Sequence, residues 1–203
     1  ILLSAIFAAA ALTASAADPA TGFVEKTYKN ADGHDSPYVV WIPPGYDGKS
    51  PVPVVLFLHG MGETKGGNKQ PKEVGIGPHL PLTRNTPISA VVVIPQSEKR
   101  DFWKADSDDG KRAIAILDAV SKEYNGDPDR TYLTGLSMGG YGTWSLAVAY
   151  PNRWAAIVPI CGGVGGRGGS PETVAAEVRA TADAIKHIPC WVWHGAADPT
   201  VKV

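Results

Sequence analysis

Two patterns of hydrophobic and polar residues alternate along the chain. Short runs in which nearly every residue is apolar predict strands buried on both faces, and segments with an apolar residue every three or four positions predict helices with one buried face. The predicted strands are 53–58, 90–94, 131–134, 155–160 and 190–193, and the predicted helices are 110–124, 138–150 and 171–186. This alternation predicts an α/β fold with an open, mostly parallel sheet and helices on both faces.

The N-terminal part of the pattern differs, because two short apolar segments flank a turn. The residues Asn30-Ala31-Asp32-Gly33 are typical of a turn, in which glycine adopts a positive φ. We therefore expect residues 23–28 and 38–42 to pair as an antiparallel hairpin. The sheet is then antiparallel at this edge and parallel over the remainder.

Capping residues mark the ends of the predicted helices. Asp108 or Asp109 is available as the N-cap of the first helix, and Gly126 is placed to end it. Ser170 and Pro171 are suited to the N-cap and first position of the last helix, since proline has no N–H group to satisfy there.

Composition restricts the classes of partner. The chain has 203 residues, of which 44% are hydrophobic, and this is enough for one sizeable core and one domain. The formal net charge is -1, from 19 basic and 20 acidic residues. This balance does not indicate binding to nucleic acid or to an anionic membrane, and it favours a small or neutral partner.

The N-terminal segment is typical of an export signal. Residues 1–17 carry no charge and end in Ala14-Ser15-Ala16, which is the small-x-small pattern that signal peptidases cleave. We interpret residues 1–16 as a partial signal peptide that lacks its basic start, and residues 17–203 as a single α/β domain that lacks its C-terminal end. The segment is too short and too rich in alanine for a membrane anchor. The sequence therefore predicts a secreted or periplasmic protein with no membrane attachment after cleavage.

The two cysteines are predicted to be free, buried thiols. Cys161 follows the predicted strand 155–160, and Cys190 begins the predicted strand 190–193. If these strands are parallel neighbours, the two thiols lie near opposite ends, whereas a disulfide needs Cα atoms within about 7 Å of each other. A disulfide remains the alternative.

A G-x-S-x-G pattern over residues 135–139 joins the predicted strand at 131–134 to the helix that follows. Glycines on either side of Ser137 let strand and helix approach closely, and the turn leaves the serine hydroxyl exposed above the sheet. The strand before the pattern and the helix after it favour a catalytic nucleophile. The alternative is a glycine-rich turn with an incidental serine.

The strand that ends at Leu58 leads into His59-Gly60-Met61. A glycine turn at a strand end can direct backbone N–H groups at one point, and we expect the N–H groups of Met61 and Met138 to form an oxyanion hole. A plain connecting turn is the alternative. His59 is expected to brace this loop through a hydrogen bond and not to act as a base.

The strand that ends at Trp193 leads into Asp198, which is predicted to orient a catalytic imidazole. His194 lies four residues earlier and is expected to make a structural hydrogen bond. In this fold the order is serine, acid and then histidine, so the base is expected beyond residue 203. The alternative is a dyad or an inactive homologue, in which His79 moves in as base.

Aromatic residues near the predicted site indicate a cleft for the substrate. Trp103, Phe102 and Trp144, with the glycine-rich loop 162–169, could line such a cleft and accept an aromatic ester. Trp144 could equally belong to the core. The chemistry requires neither a metal nor an organic cofactor.

Taken together, these stretches resemble the α/β-hydrolase superfamily. Within it, the chain is similar to the secreted esterases grouped around phospholipase/carboxylesterase, polyhydroxybutyrate depolymerase and feruloyl esterase-like enzymes. The resemblance implies Ser137 as nucleophile, Asp198 as the triad acid, the amides of Met61 and Met138 as oxyanion donors, and a catalytic histidine beyond Val203. The matching stretches are LFLHGMGE, VIPQ, DRTYLTGLSMGGYGTW, PNRWAAIVPICGG and WVWHGAADPTV.

The sequence thus predicts a serine hydrolase that cleaves carboxylic esters of small or polymeric substrates through an acyl-enzyme on Ser137. Two alternatives stay open. A serine peptidase of the prolyl oligopeptidase type has the same triad, although no propeller domain accompanies it here. A non-catalytic binding protein with a hydrolase fold is the other alternative.

Overall fold

The computed structural model describes residues 21–67, 70–82, 88–165 and 170–201. Six strands of these ranges form one mixed sheet in the order β1-β2-β4-β3-β5-β6. The strands are β1 (Gly22–Lys29), β2 (Asp35–Ile42), β3 (Val52–Leu58), β4 (Val91–Pro95), β5 (Gly126–Leu136) and β6 (Ala156–Ile160). The α-helices are α1 (Asp108–Glu123), α2 (Met138–Ala149) and α3 (Pro171–Ile185).

Strand direction agrees with the predicted architecture. β1 and β2 form the antiparallel hairpin, with Gly22 opposite Ile42 and Lys29 opposite Asp35, and β2 pairs antiparallel with β4. The remaining pairs, β3 with β4, β3 with β5 and β5 with β6, are parallel. The carboxyl ends of β3, β5 and β6 therefore meet at one edge of the sheet, and the predicted α/β fold with its N-terminal hairpin is confirmed.

Helices cover the two faces of the sheet in different ways. One face packs against α1 and α2, with Leu117 and Leu146 fully buried between helix and strand, and Ile185 of α3 joins the same core. The other face packs against a segment that contains two 3-10 helices, Pro71–Glu73 and Gly77–Leu82, through residues such as Leu80. Both faces are apolar, which explains the uninterrupted hydrophobic runs in the sequence.

The ends of α1 correct two predictions. Ser107 is the N-cap, since its side chain accepts a hydrogen bond from Gly110 N at 3.1 Å, whereas Asp108 and Asp109 lie in the first turn. The helix stops before Gly126, which begins β5. Asn125 supplies the left-handed conformation there with φ +51°, a role that asparagine tolerates. At α3, Ser170 caps the helix through Thr173 N, as predicted.

The predicted strand 190–193 forms only two isolated parallel bridges to β6, at Ile157–Cys190 and Ile160–Trp193. Both cysteines are free, as predicted, but the expectation that both are buried is wrong. Cys161 is half-buried and Cys190 is exposed, since in the described ranges residue 190 bridges only to Ile157 of β6.

The length and polarity of the helices bear on membrane attachment. Within the ranges that the structure describes, every helix is too short or too polar to span a bilayer. The predicted signal peptide, residues 1–16, lies outside the described residues, so it stays a prediction together with export.

Candidate active site

Ser137 occupies the sharp turn between β5 and α2. Its backbone has φ +53° and ψ −116°, which is a strained conformation for a residue other than glycine. The Ser137 N–H donates to Ile160 O at 2.9 Å, which ties the turn to the end of β6. Ser137 is the N-cap of α2, but its side chain makes no capping hydrogen bond. Ser137 is half-buried, and its hydroxyl is not used to cap the helix.

Glycines allow α2 to begin directly above the strand ends. A Cβ atom on Gly139 would lie 1.9 Å from Leu58 O, and one on Gly135 would lie 2.4 Å from Gly139 O. A Cβ atom on Gly140 would similarly lie 2.5 Å from Ile160 O. No side chain fits these gaps, so the first turn of α2 is wedged between the ends of β3 and β6 only because glycine stands at these positions.

The first turn of α2 supplies hydrogen-bond donors beside Ser137. Met138 is the first residue of the helix and is 1% exposed. The first N–H groups of a helix have no partner within it, and the helix dipole adds partial positive charge at this end. The Met138 amide, directly after Ser137 in the chain, is one of these N–H groups.

The loop after β3 lies against the same turn. A Cβ atom on Gly60 would lie 3.0 Å from Leu136 Cδ1 and 3.7 Å from Leu136 O, which places the loop beside the residue before Ser137. Met61, the next residue, begins the 3-10 helix Met61–Glu63. The structure therefore brings the loop of Met61 and the turn of Ser137 and Met138 together at one edge of the sheet.

His59 braces this loop from inside the protein. Its side chain is fully buried, its Nδ1 lies 2.6 Å from Gly60 O, and its Nε2 accepts a hydrogen bond from Ser97 N at 2.9 Å. Burial lowers the pKa of His59 to about 4, although the Gly60 carbonyl and Asp109 act in the opposite direction. The imidazole is thus neutral at pH 7 with both nitrogens engaged, so it is not positioned to act as a general base.

This buried imidazole makes stability depend on pH. An unfolded histidine titrates near 6.5, so below that pH the unfolded chain takes up a proton that folded His59 does not bind. We expect the free energy of unfolding to fall by about 3 kcal/mol through His59 as the pH drops from about 6.5 to about 4, and not to change through it above that window. Denaturant unfolding at several pH values measures this loss.

His59→Asn should remove that part of the pH dependence, since asparagine does not titrate. His187→Asn is the matched control, because His187 is exposed and bonds only to Pro151 O among the described residues. Equal pH slopes for His59→Asn and the wild type, measured between pH 4 and 6.5, would contradict the buried neutral state.

Asp198 lies at the same edge of the sheet as Ser137. The end of β6 lies between them, since Ser137 N bonds to Ile160 O and Ile160 bridges to Trp193, which precedes the Asp198 turn. Asp198 Oδ1 accepts hydrogen bonds from Val201 N at 3.0 Å and Thr200 N at 2.8 Å.

These hydrogen bonds affect the charge of Asp198. The amide N–H of Val201, then that of Thr200, and then His194 lower the pKa of Asp198. The carboxylate is therefore ionised at neutral pH, and Oδ1 is the oxygen that accepts the hydrogen bonds of the turn.

His194 makes structural contacts at this edge of the sheet, whereas His79 lies elsewhere. His194 Nε2 lies 2.7 Å from Val201 O and 3.6 Å from Asp198 Oδ2, so it stabilises the Asp198 turn. His79 is exposed on the 3-10 helix Gly77–Leu82, which covers the opposite face of the sheet from α2. Within the described ranges, no histidine is hydrogen-bonded to Ser137.

Trp103 does not line a cleft, contrary to the expectation from sequence. It is 1% exposed, its Nε1 donates to His59 O at 3.1 Å, and its ring meets the His59 ring edge-on at 5.0 Å. The tight packing of its Cβ against Gly142 fixes it under the first turns of α2. Trp103 therefore supports the loop after β3 and is not available to a substrate.

Trp144 lines a cavity of about 580 Å³ beside α2. Phe102 lines the same cavity, and so does Tyr141, whose ring meets the Phe102 ring edge-on at 5.5 Å. Tyr141 and Trp144 lie four and seven residues after Ser137, so they continue the side of α2 on which the serine stands. That spacing is a signal that could have identified Tyr141 from sequence. Ser137 itself does not line the cavity.

The cavity ends at the loop after β6. Gly163, Val164 and Gly165 contribute to its wall, while residues 166–169 of the predicted loop lie outside the described residues.

In the part of the chain that the structure describes, no group of three or more His, Cys, Asp or Glu side chains could hold a metal ion.

A mostly parallel sheet with a strained serine at a strand-to-helix turn, and with glycine-bearing loops at the neighbouring strand ends, defines an α/β-hydrolase. The comparisons with known proteins are more specific. The chain belongs to the Esterase family, which matches residues 30–165.

Its relatives are named as esterases. Probable feruloyl esterase C of Aspergillus clavatus is 30% identical over 175 residues, which cover 81% of this chain and 61% of the relative. Feruloyl esterase D of Neurospora crassa is 25% identical over 205 residues, which cover 99% of this chain and 66% of the relative. The crystal structure of a thermostable esterase matches with a TM-score of 0.71 and 31% identity, over 89% of this chain and 48% of that one. The chain thus spans about half to two thirds of the length of the curated relatives it matches.

Proposed function

We propose that this protein hydrolyses carboxylic esters through an acyl-enzyme on Ser137. The observation that carries the proposal is the backbone of Ser137, which is held at φ +53° with a hydroxyl that caps nothing. Ser137 Oγ attacks the ester carbonyl as its proton passes to a base, which gives a tetrahedral intermediate; the ester C–O bond then breaks, and the alcohol leaves with the proton that the base returns. Water then attacks the acyl-enzyme, releases the carboxylic acid and restores the serine.

The tetrahedral intermediate carries negative charge on the former carbonyl oxygen, and in this proposal two backbone amides stabilise it. The N–H groups of Met138 and Met61 flank the Ser137 turn from α2 and from the loop after β3. Each such donor typically contributes a factor of about 10² to 10³ to kcat, because it strengthens as the charge develops.

Asp198 serves as the acid of the triad in this proposal. Its ionised Oδ2 would accept a hydrogen bond from the imidazole that removes the Ser137 proton. His59 and His194 already bond to Gly60 O and Val201 O. We therefore assign the base to a histidine beyond residue 203, as the order of the triad in this fold indicates.

The substrate class follows from the relatives and the cavity together. The relatives are named feruloyl esterases, and the cavity wall of this chain carries Phe102, Tyr141 and Trp144. Aromatic walls favour a flat aromatic group through edge-to-face and stacking contacts. We propose that the cavity receives the aromatic part of the ester.

The experiment that tests the proposed function is acid quenching of the intact natural protein during turnover of p-nitrophenyl acetate, followed by mass spectrometry of its peptides. We expect an acetyl group on the peptide that contains Ser137. Turnover with acetylation at another residue, or ester hydrolysis with no acyl-enzyme under any quench time, would refute the proposal. Hydrolysis of proline-containing peptide amides at a rate above that of esters would favour a peptidase instead.

The aromatic substrate class predicts a selective effect of Trp144→Ala. Removing the indole should lower kcat/KM for methyl ferulate by about tenfold, whereas kcat/KM for p-nitrophenyl acetate should change little, because an acetyl group does not reach that wall. Steady-state kinetics on both esters measure the ratio. Trp191→Ala is the matched control, since Trp191 is 65% exposed and does not line the cavity. Parallel loss on both esters would argue for a core role of Trp144.

A further inference from the structure

Asp109 is a buried carboxylate that the proposed mechanism does not use. It is 0% exposed and accepts hydrogen bonds from Ser97 Oγ at 2.6 Å, from Glu98 N at 3.0 Å and from Lys99 N at 3.0 Å. Arg112, one turn further along α1, donates to it at 2.5 Å. Asp109 therefore holds residues 97–99, which follow β4, against the start of α1.

The charge of Asp109 is stabilised by these donors. Burial alone would raise the pKa of Asp109, but the hydrogen bonds from Ser97, the amides of Glu98 and Lys99, and Arg112 outweigh it and leave the pKa below its usual value. An ionised carboxylate makes stronger hydrogen bonds than a neutral group, so the position of Ser97 is rigidly determined.

Ser97 in turn determines the tautomer of His59. Ser97 N–H donates to His59 Nε2 at 2.9 Å, so Nε2 carries no proton in the neutral ring. The proton must then reside on Nδ1, which donates to Gly60 O at 2.6 Å. The direction of both hydrogen bonds follows from the backbone amide of Ser97, which can only donate.

This tautomer orients the peptide group between Gly60 and Met61. In a planar trans peptide, the C=O and N–H groups point in opposite directions. Because Gly60 O points to the buried His59, the Met61 N–H points away from His59. With the other tautomer, Nδ1 would be an acceptor facing an acceptor, and the Gly60 carbonyl would be repelled.

A second set of contacts reaches His59 from the same region. Asp101 Oδ2 accepts from Asp109 N at 3.2 Å, and Asp101 Oδ1 accepts from Trp103 N at 3.1 Å. Trp103 then donates from Nε1 to His59 O at 3.1 Å. Trp103 has φ +53°, so its strained backbone is held by these bonds. The Asp109 carboxylate thus links to the His59 side chain through Ser97, whereas the Asp109 backbone N–H links to the His59 backbone through Asp101 and Trp103.

We propose that Asp109 is a positioning residue for ester hydrolysis: it fixes Ser97, whose amide sets the His59 tautomer, and it thereby directs the Met61 N–H at the oxyanion. The inference rests on the proposed function, since it needs Met61 as an oxyanion donor. It assigns a catalytic consequence to a carboxylate that contacts neither substrate nor nucleophile.

The test compares Asp109→Asn with Asp108→Asn in the intact natural protein. Both residues lie in the first turn of α1, so both substitutions remove one favourable charge from the same helix end. Asp108 is exposed and pairs with Lys99 on the surface. We expect Asp109→Asn to lower kcat for p-nitrophenyl acetate by about 10- to 100-fold with KM changed less than about threefold, because an oxyanion donor acts mainly in the transition state. Asp108→Asn should stay within about twofold of the wild type.

Two further measurements separate positioning from a merely structural role. Phenylboronic acid adds to the serine as a tetrahedral anion, so its affinity for Asp109→Asn should fall by the same factor as kcat/KM, while the affinity for the product ferulic acid stays unchanged. The ¹⁵N resonance of His59 Nε2 should be that of an unprotonated nitrogen in the wild type and shift toward the protonated form in Asp109→Asn.

Each outcome decides the inference. Unchanged kcat in Asp109→Asn would overturn it, and so would equal losses in boronate and ferulic acid binding. If Asp109→Asn does not fold, Ser97→Ala replaces it. This variant keeps the backbone N–H that donates to His59 but loses the hydroxyl that donates to Asp109. We expect its kcat to be lower by roughly three- to tenfold, with KM unchanged. Unchanged kcat in Ser97→Ala would then overturn it. Full activity in Ser137→Ala would instead refute the proposed function itself.

Discussion

Ser137→Ala is expected to lower kcat for ester hydrolysis by about 10⁴- to 10⁶-fold while leaving the fold intact. Alanine removes only the attacking oxygen, so no acyl-enzyme can be established and any remaining rate comes from water activated within the site. The backbone strain does not change, because alanine has the same Cβ and the same cost at φ +53° as serine. The free energy of unfolding should therefore stay within about 1 kcal/mol of the wild type.

The measurement is the initial rate on p-nitrophenyl acetate, together with labelling by a fluorophosphonate probe. Ser121→Ala is a suitable control, because Ser121 lies on α1 at the opposite end of the sheet from Ser137 and also loses one hydroxyl. A Ser137→Ala variant that hydrolyses the ester or reacts with the probe as the wild type does would show that another residue is the nucleophile.

The part of the site that could be predicted from sequence is the part that local constraints determine. The G-x-S-x-G pattern specifies its own geometry, since a Cβ atom on Gly135 would lie 2.4 Å from Gly139 O, four residues further along the chain. The buried strands are similarly evident, because strands with both faces covered must be apolar throughout, as in β4, where Val91 to Ile94 are all 0% exposed.

Long-range contacts explain what could not be predicted. Either Asp108 or Asp109 could cap α1 as far as the local sequence is concerned, but Asp109 is drawn to Ser97 and the amides after β4, so Ser107 becomes the cap. Trp103 is an aromatic residue of the kind that often contacts a substrate. Its hydrogen bond to His59 O, 44 positions earlier in the chain, keeps it buried. Neither contact can be recognised from the residues that surround Asp109 or Trp103 in the sequence.

The segment 190–193 shows the same limit for the sheet. Its apolar residues predict a strand covered on both faces, but in the described ranges it bridges only to β6, and Trp191 and Trp193 are more than half exposed. Hydrophobicity reports the tendency of a segment to be covered and does not specify which element covers it.

Gly139→Ala is expected to destabilise the protein by at least about 3 kcal/mol, although local preference points the other way. Gly139 lies in the first turn of α2, where alanine is intrinsically a better helix former than glycine by up to about 1 kcal/mol. The added Cβ, however, would lie 1.9 Å from Leu58 O and 2.9 Å from His59 O. Both neighbours are backbone atoms of the sheet and the loop after it, so no side-chain rotation relieves the overlap.

To accommodate the methyl group, α2 must move away from the end of β3, which opens the packing that holds Ser137 beside the Met61 loop. Thermal unfolding should therefore show a Tm lower by roughly 6–12 °C for a chain of this size, with a parallel loss of kcat. Gly195→Ala is the matched control for stability: a Cβ there meets nothing within 4 Å, so its free energy of unfolding should change by no more than about 1 kcal/mol. If Gly139→Ala proves as stable as Gly195→Ala, helix propensity outweighs the overlap. The close contact between α2 and the strand ends, on which the position of Ser137 depends, would then be wrong.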